Sequence, residues 1–322
     1  MNVSNGSFFE FFINGVSQGL PTGSSNFNFD SPSSGDVFCV RSYPPPPFTF
    51  DGNIIEDEWS TPLSTSNPNV TSGFGLNNNL DAFYLQNGGG YLFGALAGQT
   101  ENNSNNRFLL FIDCQPGGFN NLGGWVNRNM APYVSVENLN GLITFDPGFS
   151  PDFILCMNQA NGEAFFDLYD MQNNINYYLG SDISSALVNS NLLGYQANGG
   201  SGIIDQGFEF AVPLSFLGNP TGTISTFAML VNDPGLGSLV ATFVSNQFLT
   251  PAGDSQNNYG DGFIDFGAAE PNPIDFSLGA DCYSETCIVV TPALTPTTSF
   301  TYTPKVCSDA ADIGPTGESG FT

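Results

Sequence analysis

Residues 207–213 read Gly-Phe-Glu-Phe-Ala-Val-Pro. Phe208, Phe210 and Val212 recur at every second position, the period at which strand side chains share a face, so the three are expected to line one buried surface. The next residues, Pro213 to Gly218, predict a single helical turn opened by proline and closed by glycine. Working outward, the same grammar of short apolar runs cut by Gly, Asn and Pro turns fills residues 48–281. It predicts strands near Ala82–Leu85, Tyr91–Ala97, Arg107–Cys114, Phe153–Met157, Ala164–Tyr169, Thr223–Val231 and Leu239–Val244, with no long amphipathic helix. Many short strands at close spacing point to an all-β, antiparallel β-sandwich of the jelly-roll kind.

Two extensions flank this domain. Residues 1–47 form an arm in which Phe8, Phe9, Phe11, Phe12 and Ile13 make a β-prone apolar run, followed by a Gly/Ser/Asn stretch and the stiff Pro44–Pro47 rod. Left in water, each of those side chains would forfeit roughly 1.5–3 kcal/mol, so the run is expected to add a strand to a sheet, that of a neighbouring copy foremost. Residues 282–322 are Cys-containing and rich in Thr and Pro, the composition of an extended strand, a linker or a glycosylated stalk.

Charge narrows the partners. The chain holds 30 acidic and 4 basic residues, a formal charge of -26, yet only 11% of it is charged. Phosphate backbones and anionic headgroups are repelled, which excludes nucleic acid. No apolar run reaches the 18 or so residues of a membrane span. With four bases, ion pairs cannot stabilise the fold; sheet hydrogen bonds and 31 Phe, 11 Tyr and 2 Trp must.

Six cysteines at 39, 114, 156, 282, 287 and 307, without zinc-knuckle spacing and without any histidine, read as disulfides and hence as a secreted or cell-surface location. Cys114 and Cys156 each close a strand-like run and are expected to pair, leaving Cys39 for Cys282, Cys287 or Cys307. The opening Met1-Asn2-Val3-Ser4 has no signal-peptide character, so the chain reads as a mature form or a fragment.

The absence of histidine removes Ser-His-Asp and Cys-His nucleophilic chemistry and the usual zinc sites. No phosphate-cradling loop is present, and Gly235-Leu236-Gly237 lacks the third glycine of a dinucleotide turn. A glycosidase needs only two carboxylates, which thirty acids supply without discrimination; Glu56, Asp57 and Glu58 are the densest group and read as a solvated turn. Calcium suits an oxygen-rich chain, and Asp254, Gln256, Asn258, Asp261 and Asp265 alternate as in a hard-cation loop, although Tyr259 stands where an EF-hand needs glycine. Sequons at Asn2, Asn5, Asn69 and Asn102 are no more frequent than this asparagine-rich composition gives by chance.

Several stretches carry a family resemblance: FDGNIIEDEWS from Phe50, NNNLDAFYLQNGGGYLFGALAG to Gly98, FLLFIDCQPGGFNNLGG to Gly124 and FDPGFSPDFIL to Leu155. FDLYDMQ from Phe166, GFEFAVPLSFLG from Gly207, FAMLVN from Phe227 and SNQFLTP from Ser245 continue it in order. Residues 50–251 thereby resemble secreted bacterial β-sandwiches related to family 9 carbohydrate-binding modules and DOMON-like domains. The resemblance implies an extracellular, non-catalytic module. Family 9 modules clamp sugar ends between two tryptophans. Here Trp59 belongs to the shared opening motif and reads as a core anchor, whereas Trp125, with Asn127, Arg128 and Asn129 nearby, is the glycan-binding candidate.

Three functions are therefore in competition. The first is a structural or adhesive subunit of an extracellular fibre or surface layer, joined by strand exchange with copies of itself or with other extracellular proteins. The second is a carbohydrate-binding module with glycan partners, and the third a carboxylate-only glycosidase.

Overall fold

The computed structural model describes residues 8–14, 16–17, 33, 35–43, 48–54, 59, 61–66, 71–103, 105–122, 143–145, 148–197, 199–200, 202–232, 243–249, 264–266, 272–275, 284–289 and 300–304. The described structure is all-β and predominantly antiparallel, as the strand grammar requires. The chain divides into two compact units, one made of Met1–Pro46, Gly88–Gly90 and Gly279–Thr322 and the other of Pro47–Asn87 with Tyr91–Leu278.

The larger unit holds β4 (Ser64–Thr65), β5 (Asn79–Gly88), β6 (Tyr91–Gln99), β7 (Asn106–Asp113), β8 (Ile143–Phe145), β9 (Phe153–Ala160), β10 (Glu163–Asp170) and β11 (Ile175–Ser181). It continues through β12 (Leu193–Tyr195), β13 (Gly207–Pro213), β14 (Thr223–Asn232), β15 (Phe243–Leu249), β16 (Ile264–Phe266) and β17 (Asn272–Asp275). One sheet has the order β11-β10-β9-β7-β14-β15, with β17 also on β14; the other runs β12-β13-β6-β5-β4. A parallel pair, β16 with β8, stands apart from both. The inner faces of the two sheets meet through aromatic rings: Phe208 of β13 lies 5.2 Å from Phe108 of β7 and 5.9 Å from Phe166 of β10. Gly94 lies opposite Phe210 in the β6–β13 ladder because the Phe210 ring occupies the space a Cβ would take, 2.1 Å from its Cζ.

Clean alternation in β13 predicts one buried and one open face. The structure buries both, and every residue of β13 is inside. The reason lies outside the strands. Phe48, Phe50, Ile54 and Trp59 precede β4 and lie over the outer face of the smaller sheet, on Phe93, Ala95 and Tyr84. Leu122, Phe145 and Phe149 cover the outer face of the larger sheet at Phe111, Met229 and Phe227. Two added layers thus convert a two-sheet core into three stacked apolar seams, which is how a chain with almost no ion pairs buries its aromatic content. The predicted turn after β13 is a short 3-10 helix, Leu214–Leu217, and Gly218 closes it in the left-handed conformation at φ 75°.

The smaller unit is a five-stranded sheet built from both ends of the chain. It contains β1 (Phe8–Ile13), β2 (Val16–Ser17), β3 (Val37–Tyr43), β18 (Ser284–Val289) and β19 (Phe300–Pro304), in the order β19-β18-β3-β1-β2. The apolar run Phe8–Ile13 does add a strand to a sheet, but its partner is β3 of its own chain. Val37–Tyr43 supplies a second long strand to the arm, beyond the one expected at Phe8–Ile13. Asn14 fixes the pairing: at φ 51° it turns the chain into β2, accepts a hydrogen bond from the Val37 amide at 2.9 Å and donates to Asp36 at 2.9 Å.

Candidate functional site

The two chain ends are joined covalently. Cys39 of β3 and Cys287 of β18 stand directly opposite each other in the ladder and form a disulfide across 248 residues of sequence. Cys39 therefore takes one of its three expected partners; Cys282 and Cys307 lie outside the described residues. The expected Cys114–Cys156 bond is absent, and both carry thiols. Register explains the error: Cys156 faces Leu109, and Cys114 is five residues further along β7, roughly 16 Å at about 3.3 Å per residue. Cys114 follows the last residue of β7, whereas Cys156 lies in the middle of β9, so the two never come opposite each other. Cys156 packs in the apolar seam. Cys114 sits at the end of β7 with its Sγ 3.7 Å from the Leu217 carbonyl. Burial, reinforced by Asp152, Asp113 and Asp170, pushes its thiol well above the usual range, so it is a poor nucleophile.

Those three carboxylates are the nearest thing to an acidic site among the described residues, and their contacts identify loop fasteners. Asp152, fully buried, accepts from the Cys114 and Gln115 amides at 2.9 and 2.7 Å and from the Gln172 side chain. Asp113 accepts from the Ser150 amide, and Asp170 from the Asn173 amide and side chain, all at 2.8 Å. Burial pushes the pKa values of Asp113 and Asp152 above the ordinary carboxylate range, with neighbouring carboxylates adding to the rise. No group of acids or cysteines among the described residues has the arrangement of a metal site.

Two buried charges were not foreseen. Glu209 of β13, completely buried, accepts from the Asp51 and Gly52 amides at 3.0 and 2.7 Å and from the Trp59 indole nitrogen at 2.7 Å. It fastens the 48–59 segment onto the sheet. Trp59 also stacks on Phe48 with ring centres 4.9 Å apart and planes 6° apart and packs against the Ile54, Ala82, Tyr84, Ala95 and Ala97 cluster, as expected of a core anchor. The second is Asp167 of β10, 1% exposed, which has Arg107 and the Asn176 side chain for polar company. It shares a sheet face with Asn158 and Arg107, which are paired in register one step along. Burial pushes its pKa up to about 7, although Arg107 and the Asn176 amide pull it down. A glutamate between two phenylalanines and an aspartate in FDLYD both read as solvent-facing by alternation. Only the added outer layers reverse that reading.

Among the sequon positions, Asn102 lies in the exposed β6–β7 turn and accepts from the Gly162 amide at 2.8 Å; Asn2, Asn5 and Asn69 lie outside the described residues. So do Trp125, Asn127, Arg128 and Asn129, the whole glycan candidate, and Asp254, Gln256, Asn258 and Asp261 of the calcium candidate. Asp265 falls in β16. In the terminal sheet, Phe12 is 2% exposed while Phe11 and Ile13 are half-buried. Among the described residues no helix is long and apolar enough to cross a membrane. No protein-family model matches the chain, and no curated protein matches it.

Proposed function

We propose that the chain is a non-catalytic extracellular subunit of a structural or adhesive assembly, joined to its neighbours through the terminal sheet. The observation that carries this reading is the second unit itself. Two chain ends that could have trailed in solvent instead build a separate five-stranded sheet, rich in aromatic and β-branched residues and closed by a disulfide. A sheet of this size displays edge strands, the elements through which copies pair or exchange strands. In this reading β1 can occupy its place beside its own β3 or beside the β3 of a neighbour, which is domain swapping.

Electron microscopy of the native material tests the proposal. Fibres, sheets or discrete oligomers are the expected result; monodisperse single subunits would refute it. Deleting residues 1–20 separates the two pairing modes. Loss of assembly with a retained sandwich melt fits a β1 that links copies, and unchanged assembly fits one that serves its own sheet.

A further inference from the structure

We infer that Asn14 is a site of spontaneous covalent modification, in which loss of its side-chain ammonia unlatches the β1–β2 hairpin from β3. Asn14 is followed by Gly15. Glycine has no side chain to shield its backbone nitrogen, so that nitrogen is the least hindered nucleophile that can follow an asparagine. It attacks Cγ of Asn14, its proton passes through water to Nδ2, the Cγ–Nδ2 bond breaks and ammonia leaves. The product is a cyclic succinimide. Water then opens the ring at either carbonyl and leaves aspartate or isoaspartate at position 14, with no oxidant, reductant or enzyme required.

The consequence follows from the use the fold makes of this side chain. Asn14 is exposed and stands at φ 51°, directly after Ile13, the last residue of β1. Its backbone amide donates to the Val37 carbonyl at 2.8 Å, and its Oδ1 accepts from the Val37 amide at 2.9 Å, so the side chain supplies the acceptor that closes the ladder. Nδ2 donates to Oδ1 of Asp36 at 2.9 Å, and the other Asp36 oxygen accepts from the Ser33 amide at 2.7 Å. Those two bonds hold the Asp36 carboxyl below its ordinary pKa, so it is ionised at neutral pH. Within the sheet the hairpin is held by the β1–β3 ladder alone: β2 is an edge strand paired only with β1, and the disulfide ties β3 to β18 on the other side.

Either product undoes the clamp. Aspartate replaces the Nδ2 donor with a second carboxylate oxygen, which faces the ionised Asp36 and is repelled by it. Isoaspartate adds a backbone atom to a turn that has room for two residues only, since Ile13 and Val16 are partners in register. The closed clamp in turn protects the side chain, because with both amide atoms bonded Cγ is not free to swing onto the following nitrogen. Reaction therefore follows local opening of the hairpin, and its products do not close again. The turn between β9 and β10 is the contrasting case. Asn161-Gly162 has φ of 56° and 80°, but there the glycine nitrogen itself donates to Oδ1 of Asn102 at 2.8 Å, which restrains the nucleophile.

The test is peptide mapping by mass spectrometry of the full, disulfide-intact chain during incubation at neutral pH, for the wild type, Asp36→Ala and Asp36→Asn. Conversion at Asn14 is expected in the wild type and roughly three- to tenfold faster in Asp36→Ala, the effect of one lost hydrogen bond on the opening equilibrium. Asp36→Asn keeps an acceptor oxygen and should stay close to the wild-type rate, and Asn161 should convert more slowly than Asn14 throughout. Hydrogen exchange of Asn14→Asp reads the second step: amides of β1 should lose protection by about tenfold while those of β7 keep theirs. An Asn14 that stays intact while Asn161 converts, or that converts no faster in Asp36→Ala than in the wild type, would overturn the modification site. Unchanged protection of β1 in Asn14→Asp would overturn the unlatching.

Discussion

The sandwich and the terminal sheet are made of the same residue types and held together in different ways. In the sandwich, each sheet is covered on both faces, and the polar groups trapped inside are mostly given partners: Glu209 binds three donors and Asp152 three more. The terminal sheet is too small to bury both faces by itself and relies on a covalent staple between β3 and β18. With four basic residues in the whole chain, neither region can use ion pairs as glue. A large core supports itself by layering; a small one needs a bond.

The comparison breaks most severely if the sandwich's internal fasteners prove dispensable. Glu209→Ala should cost about 4 kcal/mol or more, because it strands two backbone amides and the Trp59 indole inside the protein. Glu209→Gln, which keeps the shape but weakens the acceptors, should cost about half as much. Denaturant midpoints followed by tryptophan fluorescence would report both.

Next in size is the staple. Reducing Cys39–Cys287, or replacing both cysteines by serine, should cost the terminal sheet roughly 2–5 kcal/mol and leave the sandwich transition where it was. Hydrogen exchange resolves the two regions. A joint loss of protection in β1 and in β7 would show that they are one cooperative unit.

The acid dependence of the sandwich comes third. Asp167 has a folded-state pKa raised to about 7 from 3.8, so the folded chain holds this proton where the unfolded chain has released it. Its contribution is therefore intact below pH 4, is lost as pH rises towards 7, and is constant above that. A shift of about three units corresponds to a loss on the order of 2–4 kcal/mol. Asp113, Asp152 and Asp182 are raised as well and act in the same direction. Melting temperature should fall from pH 5 to pH 8, and Asp167→Asn should flatten much of that slope. A melting temperature that rises over this range would contradict the burial of Asp167.

The smallest effect concerns the thiols. Cys114→Ser should change stability by less than about 1 kcal/mol, since the residue is half-buried and unbridged. Peptide mapping without reduction should recover Cys39 linked to Cys287 and no peptide joining Cys114 to Cys156.

What was legible in the sequence was whatever depends on local period. The runs at Tyr91, Arg107, Phe153, Ala164, Gly207 and Thr223 are strands, and Gly218 ends its turn, because alternation, β-branching and glycine act over a few residues. β11 was missed: Asn174 and Asn176 gave Ile175, Tyr177 and Leu179 the look of a loop. The burial of Glu209 and Asp167 was not legible, since it depends on residues far along the chain folding over each sheet. The pairing of β3 with β18 was half legible: cysteine counting restricted Cys39 to three partners, but only the ladder chose Cys287. The Cys114–Cys156 expectation failed for the same reason, because strand ends say nothing of register.

The claim on which the account depends is that the two chain ends form an assembly element. Its most direct test is the mass of the purified full-length chain, disulfide intact, by light scattering over a hundredfold range of concentration at moderate salt. The account predicts a mass that climbs above that of one 34.2 kDa chain as concentration increases and returns on dilution. A constant single-chain mass across the range, with the Cys39–Cys287 bond confirmed, would contradict it.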